Sequence, residues 1–173
     1  MALRTPSQTI GPFFHLGLRW PESHKVAFSE PGEKVVLTGR IVDGAGGAVG
    51  DAMLETWQHA PNGKPPAGAT GSANPRGFGR VETAKDGTYR VETSMPGGAV
   101  PSIDIAIFAR GLLKPLRTRA YLAPVDKVRA DPALASLAAS PRVATLVATP
   151  AGAGEYRFDI RLQGEGETVF FAF

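Results

Sequence analysis

At 173 residues, with no cysteine and a formal charge of +3 from 19 Lys and Arg against 16 Asp and Glu, the chain fits one domain that buries roughly two-thirds of its unfolded surface. Disulfide scaffolds and thiolate metal sites are excluded, and the basic residues are scattered without the run of like charges that marks a nucleic-acid stripe. No apolar stretch approaches the ~18 residues of a membrane-spanning helix, so neither nucleic acid nor a membrane is an expected partner.

The N-terminus reads MALRTPSQT and soon meets Pro12, without the continuous apolar core of a signal peptide; a cytoplasmic protein is expected. The 21 Gly and 15 Pro fall between short apolar runs, the punctuation of a turn-rich β protein. Residues 1–34 read as an N-terminal arm and 35–173 as the core. Val35 to Val42 alternates and is β-branched, Asp43-Gly44 supplies a turn, and Ala52 to Trp57 resumes the pattern, which predicts two paired strands. Ala60 to Gly77, rich in Pro, Gly, Ala and Asn without period, predicts a long surface loop. Phe78 to Thr83 and Thr88 to Thr93 flank Lys85-Asp86-Gly87, a hairpin signal. Ile103 to Ala109 and Leu116 to Leu122 predict strands, the first with Asp104 set inside it. Asp131 predicts a cap for a short helix from Pro132 to Ala138, because Pro suits the first helical position. Glu155 to Gln163 alternates Tyr156, Phe158, Ile160 and Leu162 against polar residues, the clearest half-buried strand, and Gly164 and Gly166 break it before Val169. About eight short strands with turns between them predict an all-β fold, a β-sandwich with long loops and one or two short helices.

Read for chemistry, the chain holds no complete catalytic set. His15, His24 and His59 lie on separate segments in no ligand spacing, which favours structural or solvated roles. Tyr89, Tyr121 and Tyr156 fall within strand-like runs where a packed ring with a satisfied hydroxyl is the common outcome. Asp104 is open to three fates: facing solvent, accepting from an Arg, or buried and paired. No Gly-x-Ser-x-Gly turn is present, and Gly44-Ala45-Gly46-Gly47 lacks the Lys-Ser/Thr ending of a phosphate loop, so a hairpin turn is expected there.

Three stretches carry a resemblance: Thr5 to Leu18 (TPSQTIGPFFHLGL), Ile107 to Leu112 (IFARGL) and Tyr156 to Phe171 (YRFDIRLQGEGETVFF), with weaker similarity at Leu54 to Gln58 (LETWQ) and Asp131 to Leu134 (DPAL). In this order they resemble the intradiol ring-cleavage dioxygenases, a ferric family whose fold is a sandwich core with long loops and small helices. The resemblance implies that iron-binding members hold the metal through two Tyr and two His. Here Pro65 stands at roughly the place of the first Tyr, the loop bearing the second is shortened to about Met95 to Pro101, and Ser102 and Asp104 replace the two histidines. No metal site is therefore expected in this chain.

What the resemblance implies instead is the non-iron-binding α chain of a hetero-oligomer. Its partner would be a homologous β chain holding Fe(III), with the active site in the cleft between the two. The family motif puts Thr9, Gly11, Pro12 and Phe13 at the cleft wall, with Phe13 where Tyr is usual, and adds the Arg of Phe-Ala-Arg-Gly at Arg110; no residue of this chain is expected to be catalytic. Gly11-Pro12 gives a stiff bend that lets backbone approach a ligand, and Arg110 brings a forked donor suited to a carboxylate, whether of an acidic substrate or of an interchain acid. The implied reaction opens 3,4-dihydroxybenzoate with O2 to 3-carboxy-cis,cis-muconate. Two other readings are a non-catalytic β-sandwich paralogue that acts as a binding or interaction module, and an autonomous dioxygenase, for which the four donors are missing.

Overall fold

The computed structural model describes residues 9–11, 13–26, 28, 31–65 and 77–172, the side chain of His15 apart. Pro12, Thr5 to Gln8 of the N-terminal motif, residues 66–76 of the long loop and Phe173 lie outside the described residues. Among those described, β1 (Lys34–Val42), β2 (Met53–Trp57), β3 (Phe78–Glu82), β4 (Thr88–Ser94), β5 (Ser102–Phe108), β6 (Leu116–Tyr121), β7 (Thr149–Gly152), β8 (Glu155–Arg157) and β9 (Ile160–Arg161) follow in chain order. They form two sheets, β4-β1-β8-β7 with β9 also on β1, and β3-β2-β5-β6, which is the expected β-sandwich.

Alternation explains the layering. Val35, Leu37 and Ile41 of β1 are buried, as are Leu54 of β2, Ile103, Ile105 and Ile107 of β5, and Phe158 and Ile160 near the C-terminus; all belong to one core cluster. Each such side chain contributes about 1.5–3 kcal/mol when fully removed from water. A second cluster of Tyr121, Val128, Leu134, Val143, Leu146 and Val169 lies under the segments that follow β6.

Two expected pairings are corrected. β1 pairs with β4, β8 and β9, and β2 with β3 and β5, so β1 and β2 face each other across the core instead of sharing a ladder. The Lys85-Asp86-Gly87 turn exists, with Gly87 N–H on the Ala84 carbonyl at 2.8 Å and Gly87 at φ 81°, yet it carries the chain from one sheet to the other. Turn chemistry fixes a reversal of direction; the pairing of two separately buried faces decides which strands meet. The strand expected over Glu155 to Gln163 splits at Phe158-Asp159. There Gly39 comes so close that an added Cβ would stand 1.9 Å from the Phe158 oxygen, the Tyr89 hydroxyl donates to that carbonyl at 2.5 Å, and Asp159 Oδ1 accepts the Arg40 N–H at 3.0 Å.

Helical structure is shorter and more scattered than expected. Asp131 does accept from Ala133 N–H at 2.9 Å, but the helix it starts is a 3-10 turn over Pro132–Leu134 and does not reach Ala138. The same device recurs at Ser140, which caps a 3-10 segment over Pro141–Leu146. Two α-helices of four and five residues, α1 (Phe14–Gly17) and α2 (Val125–Arg129), are additional to the expectation.

Residues 18–26 lace the open side of the sandwich. The Ser23 carbonyl accepts from Arg80 N–H of β3 at 2.7 Å, while Val26 N–H donates to the Glu92 carbonyl of β4 at 2.8 Å and Glu92 N–H donates to the His24 carbonyl at 2.9 Å. Both strands are sheet edges, and this strap satisfies backbone groups that an exposed edge would offer to another chain. Trp20 stacks on Phe78 with centroids 5.9 Å apart, and Leu18 accepts from Arg80 Nη1 at 2.6 Å.

Candidate functional site

Thr9 and the Arg110 turn are about 100 residues apart in sequence and meet in the fold. The Thr9 hydroxyl donates to the Ala109 carbonyl at 3.1 Å and accepts from Gly111 N–H at 2.9 Å, so one side chain clasps both sides of Arg110. The turn it clasps closes through Leu112 N–H on the Ala109 carbonyl at 3.2 Å. It needs Gly111, whose φ is 86°, a conformation that costs glycine little.

The other expected site residues lie open. Phe13 is 71% exposed, Gly11 is exposed and a Cβ added there would meet nothing within 4 Å, and Pro12 lies outside the described residues. Leu16 and Leu113 are exposed as well. The Arg110 side chain is 68% exposed, and its Nε donates to Asp51 Oδ2. Asp51 did not stand out in sequence; the β2–β5 ladder ends on Met53 opposite Phe108, and the chains beyond that end bring Asp51 to Arg110.

A second region is where the resemblance locates the metal of iron-binding members. A cavity of about 540 Å³ is lined by Trp57, His59, Pro65, Ser102, Asp104 and Arg119, with Asp131 at its side. Ladder register explains the cluster, since Trp57 stands opposite Asp104 and Asp104 opposite Arg119. Arg119 Nε donates to Asp104 Oδ1 at 2.6 Å, the second of the three fates weighed for that carboxylate. The Tyr121 hydroxyl donates to Asp131 Oδ2 at 2.7 Å. Burial lowers the basicity of Arg119, but its hydrogen bonds to Asp104 and Tyr121 outweigh that and hold its pKa above the ordinary value. Burial, then the Asp131 contact, pushes the Tyr121 phenol up to about 12.

These residues do not fit a ferric ion. Asp104 already faces a permanent cation, Tyr121 keeps its proton, and Pro65 and Ser102 offer no anionic donor. Among the described residues, no group of three or more His, Asp or Glu is placed to hold a metal ion. The rim is also closed down. Gly97 N–H donates to the Ala60 carbonyl at 3.1 Å, and a Cβ on Gly97 would stand 2.2 Å from Gly63 N, so the Met95 to Pro101 loop lies flat on the segment leading to Pro65. Of the three histidines, His59 lines this cavity, while His24 engages β4 through its backbone carbonyl.

Tyr89 and Tyr121 are buried with their hydroxyls donating to Phe158 and Asp131, as expected, and Tyr156 packs its ring partly buried against the main core. No helix among the described residues is long and apolar enough to cross a membrane.

A family model described as Dioxygenase matches residues 21–104. The protocatechuate 3,4-dioxygenase alpha chain of Pseudomonas putida is 37% identical over 193 residues, covering 98% of this chain and 96% of that one. The alpha chain of the same name from Burkholderia cepacia is 38% identical, covering 97% and 96%. Among solved structures, the dioxygenase domain of a dioxygenase carbohydrate-binding protein fusion from Streptomyces sp. SirexAA-E superposes with a TM-score of 0.59 at 25% identity, over 92% of this chain and 98% of that one. Catechol 1,2-dioxygenase from Pseudomonas arvilla C-1 shares the fold, with a TM-score of 0.61 at 20% identity over 81% of this chain and 55% of that one.

Proposed function

Because the chain belongs to the protocatechuate 3,4-dioxygenase alpha-chain family of the intradiol dioxygenases, we propose that it is the non-iron-binding subunit of a ring-cleaving hetero-oligomer. Its partner is a homologous β chain that holds Fe(III), and the assembly works in the cytoplasm, with no part for nucleic acid or membrane. The reaction is intradiol opening of 3,4-dihydroxybenzoate by O2 to 3-carboxy-cis,cis-muconate.

The observation that carries this reading is the Thr9 clasp on the Arg110 turn. It gathers one expected wall residue and the one expected cation at a single end of the sandwich, with Phe13 and Gly11 open beside them in sequence. Residues 1–34 serve as the arm that lines the shared cleft and 35–173 as the core. Thr9, Gly11, Pro12 and Phe13 form the wall, and Phe13 excludes water without the hydroxyl that a Tyr would add. Arg110 offers its guanidinium fork to the ring carboxylate, which orients the diol end toward the partner's metal. The mismatch between this chain's own cavity and a ferric ion supports the division of labour: shape and charge from this chain, redox chemistry from the other.

Expression of the chain alone and together with an iron-bearing homologue tests the reading. The isolated chain is expected to be free of iron and inert toward 3,4-dihydroxybenzoate, and the co-purified complex to be coloured and to consume O2. Stoichiometric iron and ring cleavage by the isolated chain would overturn the proposal. Failure to associate with any iron-bearing homologue would return the chain to the class of binding modules.

A further inference from the structure

We infer that Asp51 is a positioning residue that turns Arg110 into an oriented receptor for a single carboxylate on an aromatic ring. The inference rests on the reading of Arg110 as a cleft residue and concerns how that residue is aimed.

A guanidinium carries five N–H donors in a rigid plane. Asp51 takes the one on Nε, and among the described residues Arg110 has no other side-chain partner. Among the described residues the edge formed by the two terminal nitrogens is left free, and that edge suits side-by-side binding of two carboxylate oxygens. An exposed Arg without such a partner samples many rotamers, and a ligand must then freeze them. Asp51 does that freezing in advance.

Both ends of the pair are themselves held. Under Asp51, Ala52 is buried, with its N–H on Thr83 Oγ1 at 3.0 Å and its carbonyl accepting from Thr83 N–H at 2.9 Å. Gly50 lies so near the Lys85 carbonyl that an added Cβ would stand 2.6 Å away. Under Arg110, the Thr9 clasp and the left-handed Gly111 fix the turn. Two anchored backbones beyond the end of one ladder thus face an acid and a base toward each other, the favourable arrangement of opposite charges. The charge of Asp51 also offsets that of Arg110, so anions are selected by fit to the fork more than by bulk attraction. A diol bearing a ring carboxylate gains from this arrangement, and an uncharged catechol gains nothing.

The test uses the complex with the iron-bearing partner and compares wild type, Asp51→Ala, Asp51→Asn, Arg110→Ala and the double Ala variant by O2 uptake on 3,4-dihydroxybenzoate and on catechol. Asp51→Ala is expected to raise KM for the acid about fivefold with kcat within about twofold, and to leave KM for catechol unchanged. Asp51→Asn, which keeps an acceptor oxygen, is expected to recover much of the loss, and the double variant to match Arg110→Ala alone. If Arg110→Ala raises KM for the acid while both Asp51 variants equal or improve on wild type, the positioning role is overturned and the cleft assignment stands. If Arg110→Ala changes neither substrate, the cleft assignment itself fails. Equal losses on acid and catechol in Asp51→Asn would mark a merely structural residue and also overturn the inference.

Discussion

Tyr89 shows how a residue that looks available for chemistry is consumed by structure. Its hydroxyl donates to the Phe158 carbonyl where the ladder is interrupted, and burial, reinforced by the nearby Asp159 charge, pushes its pKa well above the ordinary phenol value. Tyr89→Phe is expected to lose about 1–2 kcal/mol, read as a lower denaturation midpoint with unchanged slope, because it orphans a buried carbonyl. Gly39→Ala is expected to cost more, since backbone and not a flexible side chain blocks the new methyl group. Tyr121 makes a pH prediction. Its folded pKa of about 12 lies above the unfolded value of 10.0, so its stabilising contribution is full below pH 10 and is lost as pH rises toward 12. Ultraviolet titration should show the folded phenol ionising in that upper window, and Tyr121→Phe should flatten its share of the alkaline loss of stability. At this scale much was legible from sequence: short strands around Tyr89 and Tyr121 argued for packed rings. Asp51 was invisible, because its meaning comes from a residue 59 positions away and appears only once β2 and β5 are known to be neighbours.

At the level of elements, ladder register does the organising. The row Trp57–Asp104–Arg119 on the outer face of the second sheet follows from antiparallel pairing alone, and it assembles the charge pair that stands where a metal would otherwise be expected. The pair is half open, with Asp104 53% exposed, so Asp104→Ala is expected to cost no more than about 1 kcal/mol. Arg119→Ala should cost about 2 kcal/mol, because the guanidinium also lies 5.7 Å from the Tyr121 ring centroid and its stem covers apolar surface. Thermal melts of the two variants separate these values. Strand positions were readable from alternation, as β1, β5 and β6 attest, whereas partners were not. Asp43-Gly44 opens the expected hairpin turn, with Val42 and Ala48 bridged antiparallel and Asp43 N–H on the Gly47 carbonyl at 2.9 Å, whereas Lys85-Asp86-Gly87 serves as a corner between sheets, and the two kinds of reversal use the same residues. The 3-10 turns at Pro132 and Pro141 share one signature, a capping side chain followed by Pro. Sequence marks where such a turn starts; what lies beneath it, here Leu134, Val143 and Leu146 in the second cluster, decides how far it runs.

For the molecule as a whole, two regions of the sandwich bear on the proposed function, and they differ in how their charged groups are engaged. Around Asp104 the charged groups are already engaged, Asp104 by Arg119 and Asp131 by the Tyr121 hydroxyl, while at the Thr9–Arg110 end Arg110 has Asp51 as its one side-chain partner among the described residues and Leu113 lies exposed. Ligand-linked stability tests the need for the partner: 3,4-dihydroxybenzoate is expected to leave the melting temperature of the isolated chain unchanged and to stabilise the complex with the iron-bearing partner by about 2.7 kcal/mol at one hundred times Kd, read as a higher melting temperature. A shift in the isolated chain would mean that the acid binds without the partner's metal.

The strap over residues 23–26 carries one further consequence. The same stretch of polypeptide that stitches β3 to β4 leads back, within a few residues, to exposed Leu16 and Phe13. Upstream of that tip Thr9 is itself clasped to the Arg110 turn, so a protein that grips the tip holds the lacing between two anchored points. Tension applied there is transmitted to the seam joining the sheets, and a grip that keeps the tip docked protects the seam from fraying, so association and resistance to unzipping are mechanically one property of this chain.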